Sequence, residues 1–414
     1  MKILVLNSGS SSQKSALYEL GDSLPQDPPA PLWEAKIEWD RDSTGLTVST
    51  ADGCKLHEKT SAKDRQSATE RMLDTLWNGP TRACRSVSEI NVVGHRIVHG
   101  GPKLSEPVLI TPEVKSIIAS VAGFAPLHNR AELEGIEIVE RLIGRVPQVA
   151  VFDTGFHRTI PLPAAVYPGP YDWYKQGIRR YGFHGINHEY CAERAGQLLK
   201  QDLQPLKMVS CHLGNGCSLA AIAGGKSIDT TMGFTPLEGL MMGTRSGSID
   251  PGILTYLMRQ SPITGDDIDA MLNKSSGLLG ISGVSGDMRE VLAAMKEGNT
   301  RARLAFDIYV HRLQSGIAGM AASLSGLDVL IFTAGVGEHA SEVRSATCTQ
   351  LKFLGIELDS AKNDESPVDE EISIASSKVR VLIIRAQEDW AIAKACWKIK
   401  EQENHRPHGG SQRN

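Results

Sequence analysis

The sequence predicts an α/β protein made of two duplicated lobes with a cleft between them. The first observation is the opening stretch, where the apolar run Lys2-Ile3-Leu4-Val5-Leu6 meets the small-residue turn Asn7-Ser8-Gly9-Ser10-Ser11-Ser12 and Gln13 to Leu20 returns as a strand. The second is the recurrence of that pattern in the other half. There Met208 to Leu213 runs into Gly214-Asn215-Gly216, and Cys217 to Ile222 returns. A hairpin with a Gly/Ser or Gly/Asn tip lets backbone N–H groups point outward together, an arrangement that suits a phosphate chain. Two such hairpins suggest paired lobes that each offer a loop to one polyphosphate. The third observation is length, since 414 residues suffice for two domains with separate cores.

Composition excludes several classes. The hydrophobic share of 41% and charged share of 22% are those of a water-soluble globular chain. A net charge of −4 gives no reason to expect nucleic acid or an anionic membrane as partner. No apolar stretch approaches the ~18 residues of a membrane span, and Met1-Lys2 leads directly into a strand rather than a signal peptide. The seven cysteines lack CxxC or CxxxC spacing and are expected to be reduced thiols of a cytoplasmic protein, with no zinc site.

In the first half, Gly21 to Pro31 is a Pro-rich surface loop, and Trp33 to Trp39 and Leu46 to Thr50 are strand-like. Ser61 to Trp77 has helical spacing, with Met72, Leu73, Leu76 and Trp77 on one side. Ile90 to Val98 is a strand whose end carries Gly94-His95-Arg96 and then His99-Gly100-Gly101. Cationic groups at a strand-to-loop end are where ligands are met, although an exposed Arg at an ordinary turn looks the same locally. Thr111-Pro112-Glu113 starts a helix with an N-cap, a proline and an acid. A further helix covers Arg130 to Ile143. Gln148 to Phe152 is a buried-type strand followed by Asp153, placed either for ligand chemistry at a sheet's carboxyl end or to cap the next turn.

Pro161 to Pro170 is expected to be the passage between lobes. Arg180-Tyr181-Gly182-Phe183-His184-Gly185 opens a helix over Asn187 to Leu199, where a lone His is either a packed ring or a site residue. Ser227 to Gly252 is rich in glycine and reads as a binding loop with little regular structure; Arg245 within it carries a planar, permanently charged fork. Helices are predicted over Pro251 to Met258, Gly265 to Leu272 and Asn299 to Leu324, with a Gly/Ser loop over Gly277 to Gly286 leading to Asp287-Met288-Arg289 and a helix to Met295. Asp328 to Phe332 is a strand feeding Thr333-Ala334-Gly335-Val336-Gly337-Glu338-His339, a strand, glycine-pair, helix order that brings a nucleotide close to backbone. Val379 to Ile384 is the last strand, Glu388 to Lys400 the last helix, and 405 to 414 a disordered tail.

Taken in order, these motifs resemble the acetate and propionate kinase family over essentially the whole chain. The set includes Asn7 to Ser12 with Lys14, Gly94-His95-Arg96, Ala125-Pro126-Leu127-His128-Asn129, Val151 to Thr154, Arg180 to Gly185, His212 to Gly216, Gly233 to Leu240, Gly243 to Gly247 and Gly335 to Glu338. The resemblance implies the actin, sugar kinase and heat-shock ATPase superfold. It implies lobes over 1 to 153, completed by 388 to 400, and over 154 to 387, with a tail from 401. It also implies a homodimer formed through the C-terminal lobe, acting on acetate with ATP/ADP as co-substrate and Mg²⁺, or Mn²⁺ in its place, as cofactor.

By the same resemblance Asn7 and Glu388 position the metal. Lys14 and His212, Leu213, Gly214, Asn215 and Gly216 meet the nucleotide phosphates. Asp287, Met288, Arg289, Gly335, Val336, Gly337, Glu338 and His339 hold the adenosine. Arg96 binds the acetate carboxylate, with Val98, Leu127 and Pro236 around its methyl group. His184 and Arg245 stabilise the phosphoryl group in flight, and Asp153 is the active-site acid. Phosphoryl transfer asks mainly for positioning and charge stabilisation, which Arg96, His184, Arg245 and the metal supply. A carboxylate nucleophile with a pKa near about 4–5 is already ionised at neutral pH, so Asp153 is expected to work through the metal or a water rather than by proton abstraction.

Four residues depart from the family's habits: Arg130 and Glu132 where Pro and Asn are common, Ser248 in place of Asp, and His339 in place of Asn. Two rivals stand beside acetate kinase. One is a propionate, butyrate or pyrophosphate-using kinase of the same fold. The other is a non-catalytic actin- or chaperone-like ATP-binding module, against which Arg96 and Arg245 speak.

Overall fold

The structure, a computed structural model, describes residues 1–9, 12–39, 44–60, 64–123 and 129–404. It divides into two compact units, Met1–Gly155 with Gln387–Asn414, and Phe156–Ala386. The expected α/β class with two actin-like lobes holds.

The first unit is built on an eight-stranded sheet. Its strands are β1 (Lys2–Ser8), β2 (Ser12–Glu19), β3 (Trp33–Trp39), β4 (Thr44–Thr50), β5 (Lys55–Thr60), β6 (Ile90–Ile97), β7 (Val108–Leu109) and β8 (Gln148–Phe152), in the order β5-β4-β3-β2-β1-β6-β8-β7. β1 and β2 form the expected antiparallel hairpin, with Asn7 opposite Lys14. β1, β6 and β8 then run parallel, placing Leu6 beside His95 and Ile97 beside Phe152. Strands paired parallel are covered on both faces, which is why Ile3 to Leu6 and Gln148 to Phe152 are buried without alternation. β5 had no counterpart in the sequence reading, because Lys55-Leu56-His57-Glu58-Lys59 shows one apolar residue among charges. It survives as an edge strand, where charge is tolerated.

Trp33, Met72, Leu73 and Leu76 are fully buried in the core between this sheet and the helix Arg65–Asp74. The helix Glu388–Asn404 returns from the far end of the chain to lie on β1 and β6. Its approach is so close that a Cβ at Gly94 would stand 2.6 Å from both Cys396 Sγ and Ile392 Cγ2. Glycine in the middle of a buried strand is the residue that admits this contact.

The second unit repeats the plan. β9 (Lys207–Leu213), β10 (Cys217–Ala223), β11 (Lys226–Thr230), β12 (Val329–Thr333), β13 (Glu370–Glu371) and β14 (Arg380–Ile383) are arranged β11-β10-β9-β12-β14-β13. Again an antiparallel hairpin, with Leu213 opposite Cys217, is continued by parallel strands, with His212 beside Thr333. The helices Gly185–Leu199 and Thr300–Leu324 pack on β9, the latter capped by Asn299, whose side chain accepts from the Ala302 N–H.

Several expectations are corrected. Pro161 to Pro170 lies inside the second unit and contains the short helix Leu162–Ala165, since Pro is compatible with a first helical turn. The stretch from Ser227 begins as strand β11, and the Gly/Ser stretch from Gly277 is the helix Gly277–Ser282. After β12 the chain enters the helix Ala334–His339 directly, so the glycine pair sits within its first turn. All seven cysteines are free thiols. No helix among the described residues is long and apolar enough to cross a membrane.

Candidate functional site

In the first unit the site residues gather at the carboxyl ends of β1, β6 and β8. Arg96, near the end of β6, donates from Nη2 to Asp153 Oδ2 at 2.6 Å and from Nη1 to the Ser8 carbonyl at 3.1 Å. Both partners are nearly closed to solvent, with side-chain exposures of 11% and 1%. The carboxylate therefore holds the guanidinium against the last residue of β1, a role for Asp153 that the sequence did not show. Val98 is buried, and its N–H donates to both oxygens of Glu132 at 3.1 and 3.2 Å. Glu132 is one of the departures. Desolvation pushes its carboxyl up to about 8, although Arg96 and the Val98 N–H oppose the shift. Leu127 lies outside the described residues.

Asn7, at the end of β1, donates from Nδ2 to Glu388 Oε2 at 3.0 Å and to Asp389 Oδ1 at 2.8 Å. Burial raises the Asp389 carboxyl to about 6, with the neighbouring Glu388 adding to the rise and Asn7 working against it. Two adjoining carboxylates and an amide oxygen are hard donors, and their mutual repulsion is what a divalent cation relieves. The residues therefore fit Mg²⁺. Among the described residues there is no cluster of three His, Cys, Asp or Glu able to hold an ion. Lys14, across the hairpin, is exposed.

In the second unit the site is organised around the β9–β10 turn. His184 and His212 stack, with ring centroids 3.9 Å apart and planes at 14°. His184 has a left-handed backbone, φ 56°, immediately before the helix Gly185–Leu199. A non-glycine residue held there is a local strain that surrounding contacts must maintain. A Cβ at Gly216 would lie 3.4 Å from His184 Nε2 and 3.5 Å from Arg245 Nη1, so the bare glycine faces a ring nitrogen and a guanidinium nitrogen. Arg245 is anchored by its Nη1 donating to the Pro236 carbonyl at 2.8 Å. Asn215 is exposed, and its carbonyl accepts from the Gly243 N–H at 3.0 Å, tying the glycine-rich loop to the hairpin tip. Leu213 is fully buried.

The remaining predicted contacts have local jobs. Asp287 caps the helix Met288–Lys296, accepting from the Arg289 N–H at 2.9 Å, and pairs with the exposed Arg289 side chain at 2.6 Å. Met288 is buried. Glu338 is buried and accepts from the Ala386 N–H at 2.9 Å, while Gly335 and His339 are exposed and Val336 half-buried in the same short helix. Ser248 closes its own loop: its hydroxyl accepts from the Gly239 N–H at 3.0 Å.

The acetokinase family matches residues 2–394. The chain belongs to that family. It is 58% identical over 402 residues to an acetate kinase of Trichormus variabilis, covering 96% of this chain and 99% of the relative. It is 59% identical over 400 residues to an acetate kinase of Gloeobacter violaceus, with 96% and 99% covered. Among solved structures, the acetate kinase of Porphyromonas gingivalis superposes with a TM-score of 0.87 at 41% identity, covering 96% and 99% of the two chains. A propionate kinase of Francisella tularensis gives 0.87 at 38% with the same coverage.

For an acetokinase-family chain, three groups near these atoms escaped the sequence reading. Asp389 is adjacent in sequence to Glu388, but only the fold shows that Asn7 touches both carboxylates. His188 and Ser218 were passed over because a buried His and a strand Ser carry no spacing signal.

Proposed function

We propose that this chain catalyses reversible, Mg²⁺-dependent transfer of the ATP γ-phosphoryl group to acetate, giving acetyl phosphate and ADP. The observation that carries the reading is the turn at Gly216, where His184 Nε2 and Arg245 Nη1 face the space that a side chain would fill. Two donors converging over bare backbone suit the equatorial oxygens of a phosphoryl group in flight.

In this reading the second unit handles the nucleotide. His212, Leu213, Gly214, Asn215 and Gly216 line its phosphates. Asp287 to Arg289 and Gly335 to His339 take the adenosine. The first unit handles the acyl end and the metal. Arg96, fixed by Asp153, pairs with the acetate carboxylate, and Val98 lies against its methyl. Asn7 and Glu388, with Asp389 beside them, would hold Mg²⁺, which when bound neutralises phosphate charge. Acetate enters ionised, so Asp153 has no proton to remove; its work is to orient Arg96. The same reading makes the chain a cytoplasmic homodimer, paired through the second unit, where Ile253, Tyr256, Met258 and Leu304 leave large apolar side chains exposed.

The likeness to a propionate kinase favours a second reading in which longer acids are also accepted. One methylene is worth only ~1–3 kcal/mol of discrimination, so selectivity is expected to be graded. A hydroxamate assay with acetate, propionate and butyrate, each with ATP or pyrophosphate, decides both points. Acetate with ATP should give the highest kcat/KM. Absence of any acid-dependent ADP formation with Mg²⁺ present overturns the assignment.

A further inference from the structure

Behind His184 stand three buried side chains that the reading above does not use. Ser210 on β9, Ser218 on β10 and His188 in the helix Gly185–Leu199 are all fully closed to solvent. Ser210 Oγ is 2.9 Å from His188 Nδ1, His188 Nε2 is 2.8 Å from Ser218 Oγ, and Ser218 Oγ is 2.9 Å from His184 Nδ1. His157 and His212 pack edge-on against His188, with centroids at 5.8 and 6.2 Å.

Counting protons gives this chain a direction. Each hydroxyl has one proton to donate, and a neutral imidazole has one N–H and one lone pair. Burial, with smaller contributions from His157 and His212, holds the His188 pKa well below the ordinary histidine value, so its ring is neutral. Among the described residues the Ser210 hydroxyl has a single partner, His188 Nδ1. A buried hydroxyl proton turned anywhere else would go unsatisfied. Ser210 therefore donates to His188 Nδ1, and His188 Nε2–H donates to Ser218. The Ser218 proton is left for His184 Nδ1. A neutral His184 must then carry its own proton on Nε2, the atom that faces Gly216 beside Arg245.

We propose that Ser210, His188 and Ser218 form a one-way hydrogen-bond relay that fixes His184 in the Nε2–H tautomer, which makes His188 and Ser218 positioning residues for phosphoryl transfer. The catalytic consequence rests on the phosphotransfer reading. With Nε2–H directed at the Gly216 turn, His184 offers phosphoryl oxygens a donor; the opposite tautomer would confront them with a lone pair. The outer partner of a ring nitrogen decides which tautomer the ring presents. The relay also pins the ring on a backbone that is itself in a sparsely populated conformation.

The test reads the tautomer directly. Full-length enzyme labelled with ¹⁵N-histidine is examined by long-range ¹H–¹⁵N correlation, with His184→Gln used to assign the His184 ring. The wild type should show a protonated Nε2 and an unprotonated Nδ1. Ser218→Ala should average or reverse that pattern and lower kcat by tenfold or more, with KM for ATP moving less than twofold. Ser218→Thr and His188→Gln, each retaining the needed donor, should restore both the pattern and most of kcat. A wild-type His184 protonated on Nδ1 overturns the proposal, as does a folded Ser218→Ala enzyme whose His184 nitrogens are unchanged. Should Ser218→Ala fail to fold, the wild-type spectrum and Ser218→Thr still decide. If His184→Gln keeps full kcat while the wild-type tautomer is as expected, the relay stands and the role given to His184 in transfer is what fails.

Discussion

Adding one methyl group at Gly216 separates the site from the fold. In Gly216→Ala the new Cβ would stand 3.4 Å from His184 Cε1 and Nε2 and 3.5 Å from Arg245 Nη1. These are tolerable van der Waals contacts, and the backbone at Gly216 is outside the positive-φ region, so the variant should fold with stability within about 1 kcal/mol of the parent. The methyl nevertheless fills the space in which a phosphoryl oxygen would come within roughly 2.7–3.2 Å of both nitrogens. Losing one such preorganised donor costs ~2.7–4 kcal/mol of transition-state stabilisation, so kcat/KM should fall ~10²–10³-fold. Thermal melting and the hydroxamate assay on the same preparation measure the two quantities. Gly247→Ala is the contrast: its φ is +70° and its Cβ would meet the Leu240 carbonyl oxygen at 2.4 Å, so that variant should lose the fold itself. A Gly216→Ala enzyme that melts like the parent and turns over like it would refute the idea that His184 and Arg245 grip the transferred group at this turn.

Arg96→Gln removes the guanidinium that stands 2.6 Å from Asp153, a carboxylate 1% exposed. Stability should drop by ~3–5 kcal/mol alongside activity, read as a shift in the urea midpoint, and Asp153→Asn should lose less. Glu132 supplies a pH signature. Its native pKa lies near 8, above the ordinary 4.5, so the folded state keeps a proton that the unfolded chain has shed. Its contribution is fully present below the ordinary value and lost as pH rises towards 8. Above about pH 7 His95, His99, His157 and His188, whose native values are depressed, are neutral in both states and add little slope. Melting between pH 7 and pH 8.5 should therefore fall less in Glu132→Gln than in the parent, and parallel slopes would remove Glu132 as the cause. Asp389→Asn should raise the Mg²⁺ concentration needed for half-maximal activity; an unchanged magnesium titration would detach Asp389 from the cation site.

Local chemistry explains how much of this could be read without a structure. The hairpins β1–β2 and β9–β10 announce themselves because apolar runs, small-residue tips and returning runs are adjacent in sequence, and their register follows from the turn. The Thr111 cap is equally local, as its side chain accepts from the Val114 N–H three residues on. The order of glycine, histidine and arginine motifs was enough to place the chain in its family. The passage expected at Pro161 to Pro170 failed because breaker residues mark irregular backbone, not the place where one core ends.

What the sequence determined by itself was therefore the class of fold, the family, and the strands and helices with local signals. Tertiary structure decided which of them touch. Asn7 meets Glu388 and Asp389 from 381 and 382 residues away, and Asp153 is spent on holding Arg96 across 57. Ser210, His188 and Ser218 acquire meaning only when β9, β10 and a helix bury them together. The physical reason is desolvation. A polar side chain in water can choose any partner, but one sealed into a core must satisfy its protons with whatever the fold has set beside it, and no spacing along the chain records that neighbour.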